Sequence, residues 1–389
     1  MKKKYLMTPG PTPIPPEVAL RMAEPIIHHR TPQFQETLGE VLDNLKYFFQ
    51  TKNDVLLFAC SGTGAMEAVA ANLLSAGDKV VVVKGGKFGE RWAEICQVYG
   101  AEVISIDVEW GEAVNPQEIE EKLKSHQSPV TSHQSKPIKA VFTTLCETST
   151  GTLTNIQEIG NIIKNNKAIL IVDAISGLGA DDLQTDNWNV DVAVAGSQKG
   201  LMLPPGLSCV SLSKKAWASM ENELPSYYFN FKKYKKVLVK PDTPFTPAIS
   251  LIIGLRESLR LIRKEGLKNV LARHRQLAAA TRAGIQEIGL QLFSKKPSSA
   301  VTAVQSPVNI NSSKLISIMR DKFGVWIADG QAELKGKLFR IAHLGYIERF
   351  DTIIALSALE MALKEMGYKL ELGKAIGAAE RVLEGENNA

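Results

Sequence analysis

Cysteine is scarce in this chain of 389 residues. The four that occur, Cys60, Cys96, Cys146 and Cys209, form no C-x-x-C pair and stand near no histidine. Such spacing speaks against a disulfide framework, a zinc centre and an iron–sulfur cluster, and fits a reducing, cytoplasmic compartment. An excess of one charge is also missing, since 46 basic against 41 acidic residues leave +5. That charge is spread along the chain without the concentrated block of a nucleic-acid binder. No apolar run reaches the length of a membrane-spanning helix. Lysines at 2, 3 and 4 could open a secretory leader, but Pro9, Pro11, Pro13, Pro15 and Pro16 break any helical hydrophobic segment after them. Repeats and low-complexity tracts are absent too. What remains is an ordinary globular composition, 44% hydrophobic and 22% charged, at a length that asks for two or three domains.

From residue 55 onward, short apolar runs alternate with stretches of helical period. Strands are expected at 55–58, 79–83, 103–106, 140–144, 168–172, 190–195 and 208–212, with helices such as 64–75 and 88–99 between them. This is the pattern of βαβ units in an α/β fold with a mainly parallel seven-stranded sheet, and the runs are apolar enough to be covered on both faces. A long pattern over 249–288 reads as one or two helices. After it come a strand at 301–310, a helix near 313–323, strands at 325–328 and 338–342, and a covering helix at 348–366, which together suggest a smaller C-terminal α+β domain. The expected division is an N-terminal segment of residues 1–20, a large domain of 21–265 and a small domain of 266–389, with a fraying polar tail from 384. The polar stretch 125–137, which holds His126 and His133, reads as a surface loop; no third ligand accompanies the two histidines.

Three local features carry chemistry. Ser61-Gly62-Thr63-Gly64-Ala65-Met66 directly follows a strand and opens a helix, so its glycines permit close backbone approach and the helix start presents free N–H groups, as a phosphate cradle requires. A tight turn with Ser61 or Thr63 as the helix cap would look the same. The turn lacks the lysine of a P-loop and the full G-x-G-x-x-G of a dinucleotide fold. Asp173 follows one apolar run and Lys199 another, so both belong at the carboxyl edge of the sheet, where open α/β sheets bind their ligands. An acid and a lysine there suit pyridoxal phosphate, which needs the lysine for an imine link and the acid to keep its ring nitrogen protonated.

The sequence resembles the class V, fold-type I pyridoxal-phosphate aminotransferases, in particular the serine–pyruvate and alanine–glyoxylate branch. The resemblance covers nearly the whole chain and rests on TPGPTPIPP (8–16), HHRTPQF (28–34), SGTGAMEA (61–68), FGERW (88–92), ETSTG (147–151), VDAISGLG (172–179), GSQKGLMLPPG (196–206), TPFTPAISL (243–251) and FRIAHLG (339–345). It implies a catalytic pair in which Lys199 links to the cofactor and moves the substrate proton while Asp173 faces the pyridinium nitrogen. Phe88 would stack on the ring, at a position where many relatives carry Trp, and Thr148 would bond the ring's 3-oxygen. Ser61, Gly62, Thr63 and Gln198 would hold the phosphate. The site would be completed by Thr243 and Thr246 of a neighbouring subunit, making a homodimer part of the active site; Thr243 replaces a tyrosine found in some members. Arg340 would grip the substrate carboxylate through its planar fork, and Gly10 would border the substrate side chain. The resemblance thus implies transfer of the amino group of serine or alanine to glyoxylate or pyruvate.

Other readings make aspartate the donor, with Arg30 as the nearest candidate for a second cation, or make the chain a partner subunit, because some relatives carry a soluble-hydrogenase label. A cysteine desulfurase would need a cysteine in the C-terminal part, and none follows Cys209. The stretch YYFNFKKYKKVLVK (227–240) interleaves aromatics and lysines as single-strand nucleic-acid platforms do, but it reads as a structural segment near the active-site mouth or subunit interface.

Overall fold

Seven of the apolar runs become one sheet in the computed structural model of the protein, which describes residues 3–126, 136–221 and 224–385. Most of the 125–137 stretch, including His133, and the end of the C-terminal tail lie outside the described residues. The strands are β1 (Asp54–Phe58), β2 (Lys79–Lys84), β3 (Glu102–Asp107), β4 (Ile138–Thr144), β5 (Ile169–Asp173), β6 (Val192–Gly196) and β7 (Ser208–Leu212). Their order across the sheet is β1–β7–β6–β5–β4–β2–β3. Every pairing is parallel except those of β7, which runs antiparallel to both neighbours. The reason lies in the preceding connection: residues 197–207 hold no crossover helix, and a parallel return needs one.

Alternate residues of each strand serve two different cores, as the period of two dictates. Leu57, Val81, Val141, Leu170, Val172 and Ala193 share one core with helices α1 (Pro32–Phe49) and α4 (Ile249–Glu265) and with the helix Ile156–Ile163. Leu56, Val80, Val82, Phe142, Ile171 and Val194 face α2 (Gly62–Leu73) and α3 (Lys87–Val98). Both faces are dry, and this is why the runs are apolar throughout rather than alternating. Two of the aromatics of 227–240 are taken up by the same packing, whereas Tyr227 and Tyr228 stay exposed. Phe231 and Tyr234, on the short helix Phe231–Val237, are buried with ring centroids 5.7 and 4.4 Å from Phe58, while Lys233 lies over Tyr227 and Lys235 over Trp217.

The 249–288 pattern is two helices. Gly266, at φ 84°, ends α4 in a conformation that costs glycine little, and α5 (Leu267–Glu287) begins at the next residue. A second, antiparallel sheet follows, of β8 (Val301–Gln305), β9 (Ala328–Asp329) and β10 (Leu338–Ala342), with β10 in the middle. Here the expected bounds need correction. The 301–310 strand stops at Gln305, ahead of Pro307, which cannot donate to a ladder. The 313–323 helix is α-helical only over Ser312–Ile318 and widens into a π turn over Met319–Phe323. The 325–328 run divides: Val325–Trp326 pairs in parallel with Tyr5–Leu6, and only Ala328–Asp329 joins β10. Helices α6 (Arg349–Glu365) and α7 (Lys374–Leu383) cover this sheet through a core of their own. α7 is not among the expected elements, although Ala375, Ala378, Ala379 and Leu383 give it a buried face. No helix among the described residues is long and apolar enough to cross a membrane.

Phe142 is fully buried at the centre of the sheet, its ring centroid 4.9 Å from that of the buried Trp92. Phe142→Ala should cost about 3–5 kcal/mol of stability, read as a lowered urea midpoint; an unchanged midpoint would mean the sheet does not depend on this contact.

Candidate active site

The carboxyl ends of the parallel strands converge on one edge, and the expected site residues follow them in turn. Ser61 comes after β1, Phe88 after β2, Glu147 and Thr148 after β4, Asp173 is the last residue of β5, and Gln198 and Lys199 come after β6. Such an edge concentrates loop residues over an immobile floor, so side chains distant in sequence can be held in register.

Lys199 is buried in the same connection that makes β7 antiparallel. Burial pulls its ammonium down to about 8, with Arg340 and Arg91 acting in the same direction and Asp173 opposing. Its Nζ donates to the Pro9 carbonyl, and Thr12 donates to the Lys199 carbonyl at 3.2 Å. Gly10, at φ 145°, packs against the lysine so closely that a Cβ there would stand 2.5 Å from Cε and Nζ. A larger residue at position 10 would meet both a strained backbone and the amine. Asp173 is buried as well, and loss of solvent pushes its carboxyl up to about 7, against the Ile175 N–H that it accepts at 2.8 Å. Lys199 and Asp173 act on each other's charge without forming an ion pair.

Arg340 enters from β10, opposite Ala303 and Ala328, whose small side chains leave its guanidinium room. It donates from Nε and Nη2 to the Asp329 carbonyl, at 3.0 and 2.7 Å, and from Nη1 to the Thr148 carbonyl at 2.8 Å. Asp329 is itself fixed, its carboxylate accepting from Ser312, Ser313, Gly330 and Gly336. The fork is therefore aimed by backbone rather than neutralised by a carboxylate, and burial lowers its pKa to about 10. Thr148 donates its hydroxyl to Ser176 at 2.6 Å.

At the start of α2, Ser61 caps the helix by accepting the Gly64 N–H. The N–H groups of Gly62 and Thr63 find no acceptor among the described residues. A Cβ on Gly62 would meet Ile175 at 2.5 Å, and the Gln198 amide lies against the same isoleucine environment with its buried oxygen unpartnered.

Two residues here have no assigned part in the sequence reading. Glu147, buried, accepts the N–H groups of Phe88, Gly89 and Ser149 at 3.1, 3.0 and 3.2 Å, so it caps α3 and fixes where Phe88 stands. Burial raises its pKa and the three donors oppose that shift. Arg91 lies one helical turn beyond Phe88, 4.9 Å from its ring centroid, and donates to the Thr63 hydroxyl at 3.2 Å. The motif strings ETSTG and FGERW contain both residues, but the contacts depend on helix α3 beginning against the β4 loop.

Thr243 and Thr246 stand apart from this group. They border Leu57–Ala59, Leu207 and Tyr228, and the Thr243 hydroxyl donates to the Phe245 carbonyl. Arg30 grips this segment, donating to the Asp242 carboxylate and, at 2.7 Å, to the Thr243 carbonyl.

The residues present fit pyridoxal phosphate: a buried lysine, a buried carboxyl with one donor and spare acceptor capacity, and a turn with two unpaired N–H groups. A profile of the family described as Aminotransferase class-V matches residues 4–342. The chain is 42% identical, over 98% of each chain, to a protein of Synechococcus sp. strain PCC 6716 named soluble hydrogenase, small subunit. It is 35% identical to the L-aspartate–glyoxylate aminotransferase of Paracoccus denitrificans, over 96% of this chain and 95% of that one. It is also 35% identical to the serine–glyoxylate aminotransferase of Methylorubrum extorquens, over 98% and 96%. The crystal structure of the pyridoxamine–pyruvate aminotransferase of Mesorhizobium loti superposes with a TM-score of 0.93 at 31% identity, over 100% and 98%.

Because the folded value of Asp173 lies above that of a free carboxyl, the native protein holds this proton more tightly than the unfolded chain does. Asp173 therefore subtracts increasingly from stability as pH rises from about 4 through 7, and by a constant amount above. Freed of cofactor, Asp173→Asn should melt above wild type by a margin that widens over that window and then levels. A margin flat from pH 4 to 8 in thermal melts would refute the burial argument.

Proposed function

Since the chain belongs to the class-V aminotransferases and is a pyridoxal-phosphate-dependent transaminase, we propose that it moves the amino group of serine or alanine to glyoxylate or pyruvate by a ping-pong mechanism. The observation that carries this reading is the convergence of Lys199, Asp173 and Arg340, from three remote parts of the chain, on one buried edge of the sheet. When bound, pyridoxal phosphate supplies an electron-withdrawing ring that stabilises negative charge on the substrate's α-carbon.

Lys199 holds the cofactor and moves the proton at that carbon. An amine depressed to about 8 is partly free base near neutrality, as a general base must be. Asp173 keeps a proton or a positive charge at the ring nitrogen, and Glu147 holds Phe88 where it can stack. Thr148 serves the ring's 3-oxygen, and Ser61, Gly62, Thr63 and Gln198 receive the phosphate. Arg340 orients the substrate by its carboxylate, because the two carbonyls that fix its guanidinium are uncharged and leave its positive charge unneutralised. Pro9 and Gly10 press on Lys199 and leave little room beside the reacting atoms, which favours a short side chain.

The same reading makes the enzyme a cytoplasmic homodimer, divided near Gly266 into large and small domains. The Arg30-braced segment would carry Thr243 and Thr246 to the phosphate site of the other subunit. Aspartate is the second donor to test, on the strength of the Paracoccus relative's name. Arg30, the cation expected to receive its side chain, is held by Asp242 and the Thr243 carbonyl. A role as a partner subunit would leave Lys199, Asp173 and Arg340 without a use.

The test is the visible absorbance of the purified protein after separate additions of serine, alanine, aspartate and cysteine. Serine or alanine should discharge the cofactor's absorbance fastest; a faster response to aspartate would change the donor. No cofactor absorbance even after incubation with pyridoxal phosphate would overturn the reading. Lys199→Ala should lower turnover at least about 10³-fold. Arg340→Ala should raise the KM for the amino acid about hundredfold, with cofactor affinity unchanged.

A further inference from the structure

We propose that Arg91 is a ligand of the cofactor's phosphate, supplying the positive charge that the neutral turn at 61–63 lacks; this rests on the reading above that the turn receives that phosphate. Ser61, Gly62, Thr63 and Gln198 offer only uncharged groups to a phosphate carrying nearly two negative charges. Arg91 is the cation nearest that turn by direct contact, through its bond to the Thr63 hydroxyl at 3.2 Å. By accepting this bond, Thr63 Oγ1 keeps its own proton free to donate to an anion.

The guanidinium is also placed rather than loose. It lies over the ring of Phe88, three residues earlier on the same face of α3, at a distance of 4.9 Å. Phe88 in turn is fixed through its N–H to the buried Glu147. Arg91 is half-buried and, among the described residues, enters no ion pair. Its neighbour Glu90 is taken by Lys87, whereas Arg256, Arg260 and Arg273 each have a carboxylate. Its charge reaches the reacting centre, acting on both Asp173 and Lys199. A guanidinium held by a hydroxyl and a ring, next to two unpaired N–H groups and lacking a counter-ion, is half of an anion site. Arg340, which donates to the Thr148 and Asp329 carbonyls, is the cation of the opposite, carboxylate-binding end.

The experiment compares binding of pyridoxal phosphate with binding of pyridoxal, which lacks the phosphate, to full-length wild type, Arg91→Ala and Arg91→Lys, by equilibrium dialysis after removal of the resident cofactor. Arg91→Ala should weaken pyridoxal phosphate about thirtyfold while leaving pyridoxal within about twofold, and Arg91→Lys should fall between. Inorganic phosphate should protect wild type against thermal unfolding more than it protects Arg91→Ala. Equal losses for both ligands would reduce Arg91 to a packing partner of Phe88 and overturn the proposal. So would unchanged affinity for pyridoxal phosphate, including the case in which only the KM for aspartate rises, which would assign the guanidinium to a substrate carboxylate. If wild type itself takes up no pyridoxal phosphate, the transaminase reading falls along with this one. If wild type binds and the variants match it, only the role of Arg91 falls. Circular dichroism checks folding, and Arg91→Lys keeps the test open should the alanine variant not fold.

Discussion

Keeping an amine and a carboxyl out of water, near one another but unpaired, is the constraint on which the rest of this structure depends. Lys199 and Asp173 are each buried, and each is driven toward its neutral form by the loss of solvent. Such an arrangement is unfavourable to the protein standing alone and needs a rigid surround to persist. The doubly covered sheet supplies that surround, because strands buried on both faces cannot shift to let water reach their carboxyl ends. What the arrangement costs in stability is offset when a ligand offers each group the partner it lacks. Stability and chemistry therefore trade against each other at the same two side chains.

Around that centre the aiming is done mostly by backbone. The Arg340 fork is set by two carbonyls, Phe88 by an N–H held on Glu147, and Lys199 by the Pro9 carbonyl. Backbone partners carry no net charge, so they fix a cation's direction without spending its charge. Full cationic character thus remains for a substrate or cofactor. The short connection of residues 197–207 belongs to the same logic: with no crossover helix to accommodate, it turns β7 back antiparallel and keeps the lysine on a tight, immobile loop.

Much of this was legible in the sequence, for physical reasons that also explain what was not. Strands covered on both faces must be continuously apolar, so all seven could be located to within a few residues, and with them Asp173, which ends β5, and Lys199, which follows β6. The second sheet was less legible because its strands are short and one of its apolar runs, 325–328, serves two different pairings. Helix α7 is missed although Ala375, Ala378, Ala379 and Leu383 form an apolar face. Glu147 and Arg91 escaped because their parts depend on where α3 begins relative to the β4 loop, a relation between elements that no local pattern encodes. Arg30 has the right charge for a substrate ligand, yet a carboxylate far along the chain, Asp242, claims it.

The N-terminal segment draws these parts together. Tyr5 and Leu6 pair with Val325 and Trp326, Ala342 donates to the Met7 carbonyl at the end of β10, and Thr12 is bonded to both Gln198 and Lys199. Between the anchor at residue 7 and the anchor at residue 12 run only five peptide links, at most about 18 Å of chain. The distance between the guanidinium on β10 and the reacting amine is thus gauged by a short covalent strap, not by the give of an interface between two separate cores. Like a tether between two jaws, it caps how far they can part.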